Sequence, residues 1–286
     1  MNALLSGLRE LGWVEGQNLV IERRFAQTPE EFAEAARDLV RLGVDVIVTA
    51  GSVPTRAAKD ATGAAGSRIP VVFASAGDPV GKGFVTSLAH PGGNVTGLAL
   101  LDETFPKLLE LARELLPQAR KAAYMFETSV VPPPLRASRE REYRAAASTL
   151  GLDYHELPIQ TRDELGSAFQ GAMAQGIDVL IIDDTILTKQ HSGRIIALAA
   201  EHHLPAIFRD PSFVAAGGLV SYGEDIRDLF RRSATYVSRL LKGERPESLP
   251  VEQATKFQLT LNLKTARALD LEISPTLLVR ADEVIE

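Results

Sequence analysis

Val44-Asp45-Val46-Ile47-Val48-Thr49-Ala50-Gly51-Ser52-Val53-Pro54-Thr55 decides the architecture. Its first half, 44–49, is a short branched apolar run between Gly43 and Gly51, the pattern of a strand buried on both faces. A glycine turn then enters a helix over 52–61, with Ser52 placed to cap it and Pro54 suited to its first turn. A buried strand followed by a crossover helix is the building block of a parallel sheet. The same grammar continues with a strand over 69–74, a helix over 79–88 and, after the turn Pro91-Gly92-Gly93, a strand over 94–100. Upstream, Leu4, Leu5, Leu8 and Leu11 recur at helical spacing up to Gly12, residues 18–25 alternate as a strand, and Thr28-Pro29-Glu30-Glu31 opens a helix with a buried stripe from Phe32 to Leu42.

A second series follows. Helices are expected over 103–116, 134–150, 162–175 and 189–202, interleaved with strands over 121–126, 152–157, 178–182 and 206–208; a strand over 218–222 and a long helix over 224–241 come next. Two such series imply an α/β fold of two doubly wound parallel-sheet lobes: 1–99 as lobe 1, 100–222 as lobe 2, 223–250 returning to lobe 1, and a tail over 251–286 that shuttles between them. The tail reads as a strand over 257–263, a short helix over 264–269 and an extended piece over 277–280.

Bulk properties remove several function classes. With 286 residues, 45% hydrophobic and 24% charged, the chain carries ample apolar material for two cores. A formal charge of -6, without lysine or arginine runs beyond Arg23-Arg24 and Arg231-Arg232, gives nothing to attract a phosphate backbone, so no nucleic-acid partner is expected. Cysteine is absent, and the five histidines lack ligand spacing, so neither thiol chemistry nor a metal or other cofactor is expected. No GxSxG, Walker GxxxxGK[ST] or strand-linked GxGxxG string occurs, and no catalytic residue is assigned. No apolar run reaches the length of a bilayer-spanning helix, and residues 1–12 read as an ordinary amphipathic helix rather than an export signal.

In open α/β sheets ligands bind beyond the carboxyl ends of the strands. Read there, Ser52, Pro54 and Thr55 start a helix whose free N–H groups suit an anion, and Asp78 follows the next strand, either as a cap or as an acid facing a ligand. In the second series Thr128 and Ser129, then Asp184 and Thr185, then Asp210 stand at the corresponding ends. These nine residues form the expected ligand-binding set. Paired acids also raise acid–base catalysis, with a racemase or isomerase as its least strained form.

Several strings resemble a known family. Leu8-Arg9-Glu10-Leu11-Gly12-Trp13-Val14-Glu15-Gly16-Gln17-Asn18-Leu19, Asp78-Pro79-Val80-Gly81, Pro91-Gly92-Gly93-Asn94-Val95-Thr96-Gly97, Leu249-Pro250-Val251-Glu252-Gln253 and Asn262-Leu263-Lys264-Thr265-Ala266 are similar to the ABC-transporter substrate-binding family that includes tryptophan-type receptors. The likeness implies a periplasmic-binding-protein-like fold of type I, with a hinge and an interlobe cleft that closes over a small polar solute such as an amino acid or related carboxylate. It further implies an ABC permease as the membrane partner and a periplasmic or lipid-anchored location. Relatives open with an export signal and a first strand ahead of the helix that begins here, so lobe 1 is expected to lack its first strand; a cytosolic ligand-sensing domain of the same fold is the alternative. The run Glu127-Thr128-Ser129-Val130-Val131-Pro132-Pro133-Pro134 also departs from the family's Asn-Pro turn.

Overall fold

The computed structural model describes residues 2–101, 104–130 and 133–286. Asp102 and Glu103, at the expected break, and Val131 and Pro132, in the proline run, lie outside the described residues. The chain divides into two compact units: Met1–Asp102 with Asp225–Lys256, and Glu103–Glu224 with Phe257–Glu286. The backbone thus passes from one to the other three times, and the expected tail divides after Lys256.

Unit 1 contains α1 (Asn2–Glu10), α2 (Pro29–Leu42), β1 (Ile47–Ala50), α3 (Ser52–Ala64), β2 (Val71–Gly77) and β3 (Val95–Leu100). Its strands form a parallel sheet in the order β1-β2-β3-β9, the last being a two-residue strand at Glu252–Gln253. Successive strand residues face opposite sides, and both sides are covered. Val72 and Leu98 pack with Leu4 and Leu8 of α1 and Leu229 and Val237 of α10 (Ile226–Leu241), whereas Val71, Phe73 and Val95 pack with Ile47, Ala58 and Phe84. Each such side chain contributes about 1.5–3 kcal/mol of apolar burial. Helix α2 begins in a full capping box between Thr28 and Glu31 and ends on Gly43 at φ 66°.

Unit 2 holds α4 (Thr104–Leu115), β4 (Lys121–Glu127), α5 (Pro133–Thr149), β5 (Asp153–Ile159), α6 (Leu165–Ala174), β6 (Val179–Ile182), α7 (Ile186–Gln190), α8 (Ser192–Glu201), β7 (Ala206–Phe208), α9 (Pro211–Ala215) and β8 (Val220–Glu224). After the excursion through α10 and β9 the chain returns as β10 (Phe257–Asn262), α11 (Leu263–Ala268), α12 (Pro275–Arg280) and β11 (Glu283–Ile285). The sheet order is β11-β10-β8-β7-β6-β4-β5, parallel throughout except for the antiparallel β8–β10 pair. Ala122, Tyr124 and Phe126 of β4 face one core with Phe105 and Leu108, and Ala123 and Met125 face the other with Phe169 and Ile195.

Four of the expected elements turn out differently, and α9, β9 and β11 were not expected. Residues 18–25 form no strand beyond an isolated Glu15–Leu19 bridge, because no other strand pairs with them; Val20 and Phe25 stand exposed, and β1 is the edge of its sheet. Residues 79–88 are turns rather than a helix. Asp78, at φ 45°, accepts the Gly81 N–H at 2.7 Å, and Arg56 and Lys59 of α3 take the Lys82 and Gly83 carbonyls that a helix would use internally. The helix expected over 189–202 is interrupted at His191 into α7 and α8, since Thr185 caps the shorter helix through the Thr188 N–H. The piece at 277–280 is helical: Ser274 accepts the Leu277 N–H and Pro275 sits in the first turn.

Candidate functional site

In unit 1 the ends of β1 and β2 carry the residues of interest. Helix α3 starts from Gly51 at φ 89°, which provides no side-chain cap, so Ser52 lies inside the first turn instead of capping it. Its hydroxyl accepts a hydrogen bond at 3.0 Å from the ammonium of Lys82, which also donates to the Gly77 carbonyl at 2.8 Å. A cation is therefore held against an uncapped helix N-terminus, where the partial positive charge of the backbone already favours anions. Pro54 is half-buried in the first turn, and Arg56 lies over the Phe84 ring at 4.8 Å. Thr55 is fully buried and donates to the Gly51 carbonyl at 2.6 Å with Thr49 Oγ1 at 2.9 Å, so its hydroxyl fastens the helix to the strand tip. Asp78 shapes its own turn.

In unit 2 the tips of β4, β6 and β7 carry acids. At the end of β4, Glu127 Oε1 accepts from Ser129, while Glu127 Oε2 is buried with no hydrogen-bond partner among the described residues; Thr128 follows, half-buried. After β6, Asp183 lies beside the Tyr124 phenol, whose pKa is pushed far up by burial and then by that carboxylate. Asp184 Oδ1 is buried; Lys189 approaches it to 3.1 Å, within ion-pair range but outside hydrogen-bond geometry. The same ammonium lies 2.9 Å from Asp210 Oδ2. Asp210 also caps α9 through the Ser212 N–H at 2.8 Å, and Lys189 helps hold its carboxyl below the usual range against the effect of burial. Thr185 is buried as the cap of α7.

Behind these tips lies a buried ion pair. Arg209 Nη2 donates to both oxygens of Glu224 at 3.0 Å, and Thr104 donates to Glu224 Oε1 at 3.1 Å. Sequence reading placed Asp184 and Asp210 at neighbouring strand ends but missed Lys82, Lys189 and Arg209. A basic residue one or five positions from a strand-end acid was the available signal for the last two.

Burial is the main cause that raises Asp184 to about 6 from 3.8, with Lys189 opposing and Asp210 adding to the rise. A carboxyl that holds its proton more tightly when folded stabilises the fold at low pH, and that contribution is lost as pH climbs from 3.8 to about 6. Asp184→Asn is neutral at every pH. It should raise the unfolding temperature relative to the parent at pH 8, by at most about 3 kcal/mol of stability, and at pH 5 by only about half as much. Thermal unfolding at the two pH values tests this, and equal differences at both would refute it.

The family model described as "ABC transporter substrate binding protein" matches residues 1–285. The chain belongs to this family. A tyrosine-binding protein of Clostridioides difficile is 27% identical over 269 residues, covering 94% of this chain and 75% of that protein. A conserved domain protein of Vibrio cholerae O1 biovar El Tor is 29% identical with a TM-score of 0.87, over 99% of this chain and 93% of that one. An ABC domain from Streptococcus pneumoniae in complex with L-Trp shares the fold at a TM-score of 0.88 and 23% identity, over 99% and 93% of the two chains. Membership of this family makes the chain a substrate-binding protein and not an enzyme, which removes the racemase or isomerase alternative.

Proposed function

We propose that this substrate-binding protein is the receptor of an ABC importer for a zwitterionic solute, an α-amino acid or related carboxylate, and that it works outside the cytoplasmic membrane, periplasmic or lipid-anchored, with a membrane permease as its partner. The observation that carries the reading is the opposite charge of the two sets of strand tips. Unit 1 presents Lys82 and Ser52 at an uncapped helix start, and unit 2 presents Asp184, Asp210 and the unpartnered Glu127 Oε2. Buried acceptors without partners are uncommon in folded proteins, and a ligand ammonium would supply the missing donors. In this reading Lys82 and Ser52 take the carboxylate, Asp184 and Asp210 the ammonium, and Thr128 and Ser129 adjoining polar atoms, while Pro54, Thr55, Asp78 and Thr185 shape the loops that hold them. The tyrosine-binding name of one relative and the L-Trp complex of another support the choice of solute class. Binding would act by population shift, through tighter contacts in the closed form than in the open one.

Native mass spectrometry of protein purified without added solute should show a single small-molecule mass excess, and an amino-acid panel should include members that raise the unfolding temperature. Neither a mass excess nor any stabilising amino acid would sink the reading. Lys82→Met should weaken binding of the amino acid by about 10- to 100-fold, the loss of one charge-assisted hydrogen bond. Calorimetry against the decarboxylated amine is the control, because that ligand should bind parent and variant alike.

A further inference from the structure

Lys189 projects from α7 between two carboxylates that are more buried than itself: its side chain is 47% exposed, against 23% for Asp184 and 18% for Asp210. One cation between two anions leaves these three side chains with a single net negative charge, to which the Asp183 and Glu127 carboxylates at neighbouring strand ends add. Arg209, next to Asp210 in the chain, does not alter that sum, because Glu224 neutralises it through two hydrogen bonds. Burial works against a charged Lys189, but Asp184 and Asp210 outweigh it, and the pKa of the ammonium is raised. A fixed positive charge therefore stands at the solvent side of the two acids.

We propose that Lys189 is a specificity-determining residue: held between Asp184 and Asp210 on their solvent side, it turns away solutes that carry two positive charges. The inference rests on the amino-acid reading given above. The second cation of a lysine, an arginine or a diamine meets a like charge where water screens poorly. Specificity is then obtained by a repulsive element as much as by the attractive acids. Replacing Lys189 by a neutral residue removes the repulsive charge and shifts the preference toward cationic solutes.

Isothermal titration at pH 8 tests this with L-tyrosine, L-tryptophan, L-arginine and L-lysine against the parent, Lys189→Gln and Lys189→Arg. The affinity ratio of the cationic to the aromatic amino acids should rise about tenfold or more in Lys189→Gln and stay at the parent value in Lys189→Arg, which keeps the charge. Lys189→Met provides a second neutral variant, and thermal unfolding confirms that each protein is folded. A parent that binds one of these amino acids, with a ratio unchanged in both neutral variants, overturns the role of Lys189 alone. A parent and variants that bind none of the four overturn the amino-acid reading with it.

Discussion

Gly97→Ala should collapse unit 1. Gly97 sits at φ 147° in β3, opposite Phe73 of β2, and a Cβ placed on it would lie 2.1 Å from the Phe73 carbonyl oxygen and 2.7 Å from its amide nitrogen. The obstacle is backbone in the interior of a sheet whose two faces are packed, so it cannot swing aside as a side chain would. Phe73 is itself fully buried. The substitution combines a strained backbone conformation with separation of the central strand pair, and a loss of about 3–5 kcal/mol follows. Gly93→Ala is the control: nothing lies within 4 Å of its added methyl group and its φ is unremarkable, so its effect should stay within about 0.5 kcal/mol. The single tryptophan reports on this unit, since Trp13 packs on the α1–α10 core and donates to Ser238 Oγ at 2.9 Å. Denaturation followed by its fluorescence should separate the two variants, and coincident curves would show that the sheet yields more easily than close packing permits.

Arg209→Met should cost unit 2 about 3–5 kcal/mol, because it removes the guanidinium that donates to both oxygens of the buried Glu224 carboxylate. Breaking one half of a buried pair is far more damaging than removing both halves. The double variant Arg209→Met with Glu224→Leu should therefore recover most of the loss. Hydrogen exchange over β7 and β8 gives the readout, while the Trp13 signal should shift much less. A double variant no better than the single one would mean that the pair's hydrogen-bond geometry, and not its uncompensated charge, carries the stability.

Most of the architecture was legible because a strand buried on both faces and a crossover helix leave signatures within a dozen residues of one another. The run at 44–49 and its glycine-flanked turn into α3 are of this kind, as are β4, β6 and β7. Where reading failed, the deciding partner lay elsewhere in the chain. Alternation over 18–25 has the periodicity of a strand, yet periodicity does not supply a neighbour to bond with. The segment 79–88 has enough apolar residues for a helix, but Gly81, Gly83 and the carbonyls captured by Arg56 and Lys59 decide against it. Ser274-Pro275 was a helix start visible in the sequence and passed over. The acids of the candidate site could be found because strand ends locate them. Lys82 could not, since a long flexible side chain reaches its partners through space from a turn whose shape the sequence does not disclose.

The interleaving of the units also sets an order of events during synthesis. A ribosome delivers α1 with Leu4 and Leu8 long before α10, against which those residues pack, and Gly7 must meet the backbone at Arg231 without a methyl group between them. Residues 104–224 emerge next, but β8 lacks its antiparallel neighbour until β10 is made. A nascent chain therefore displays an apolar helix face and then an open strand edge at successive stages, both of them surfaces that invite pairing with the wrong neighbour. Unit 1 has all its residues once Lys256 has emerged, whereas unit 2 waits for residues 257–286, which makes that segment its checkpoint.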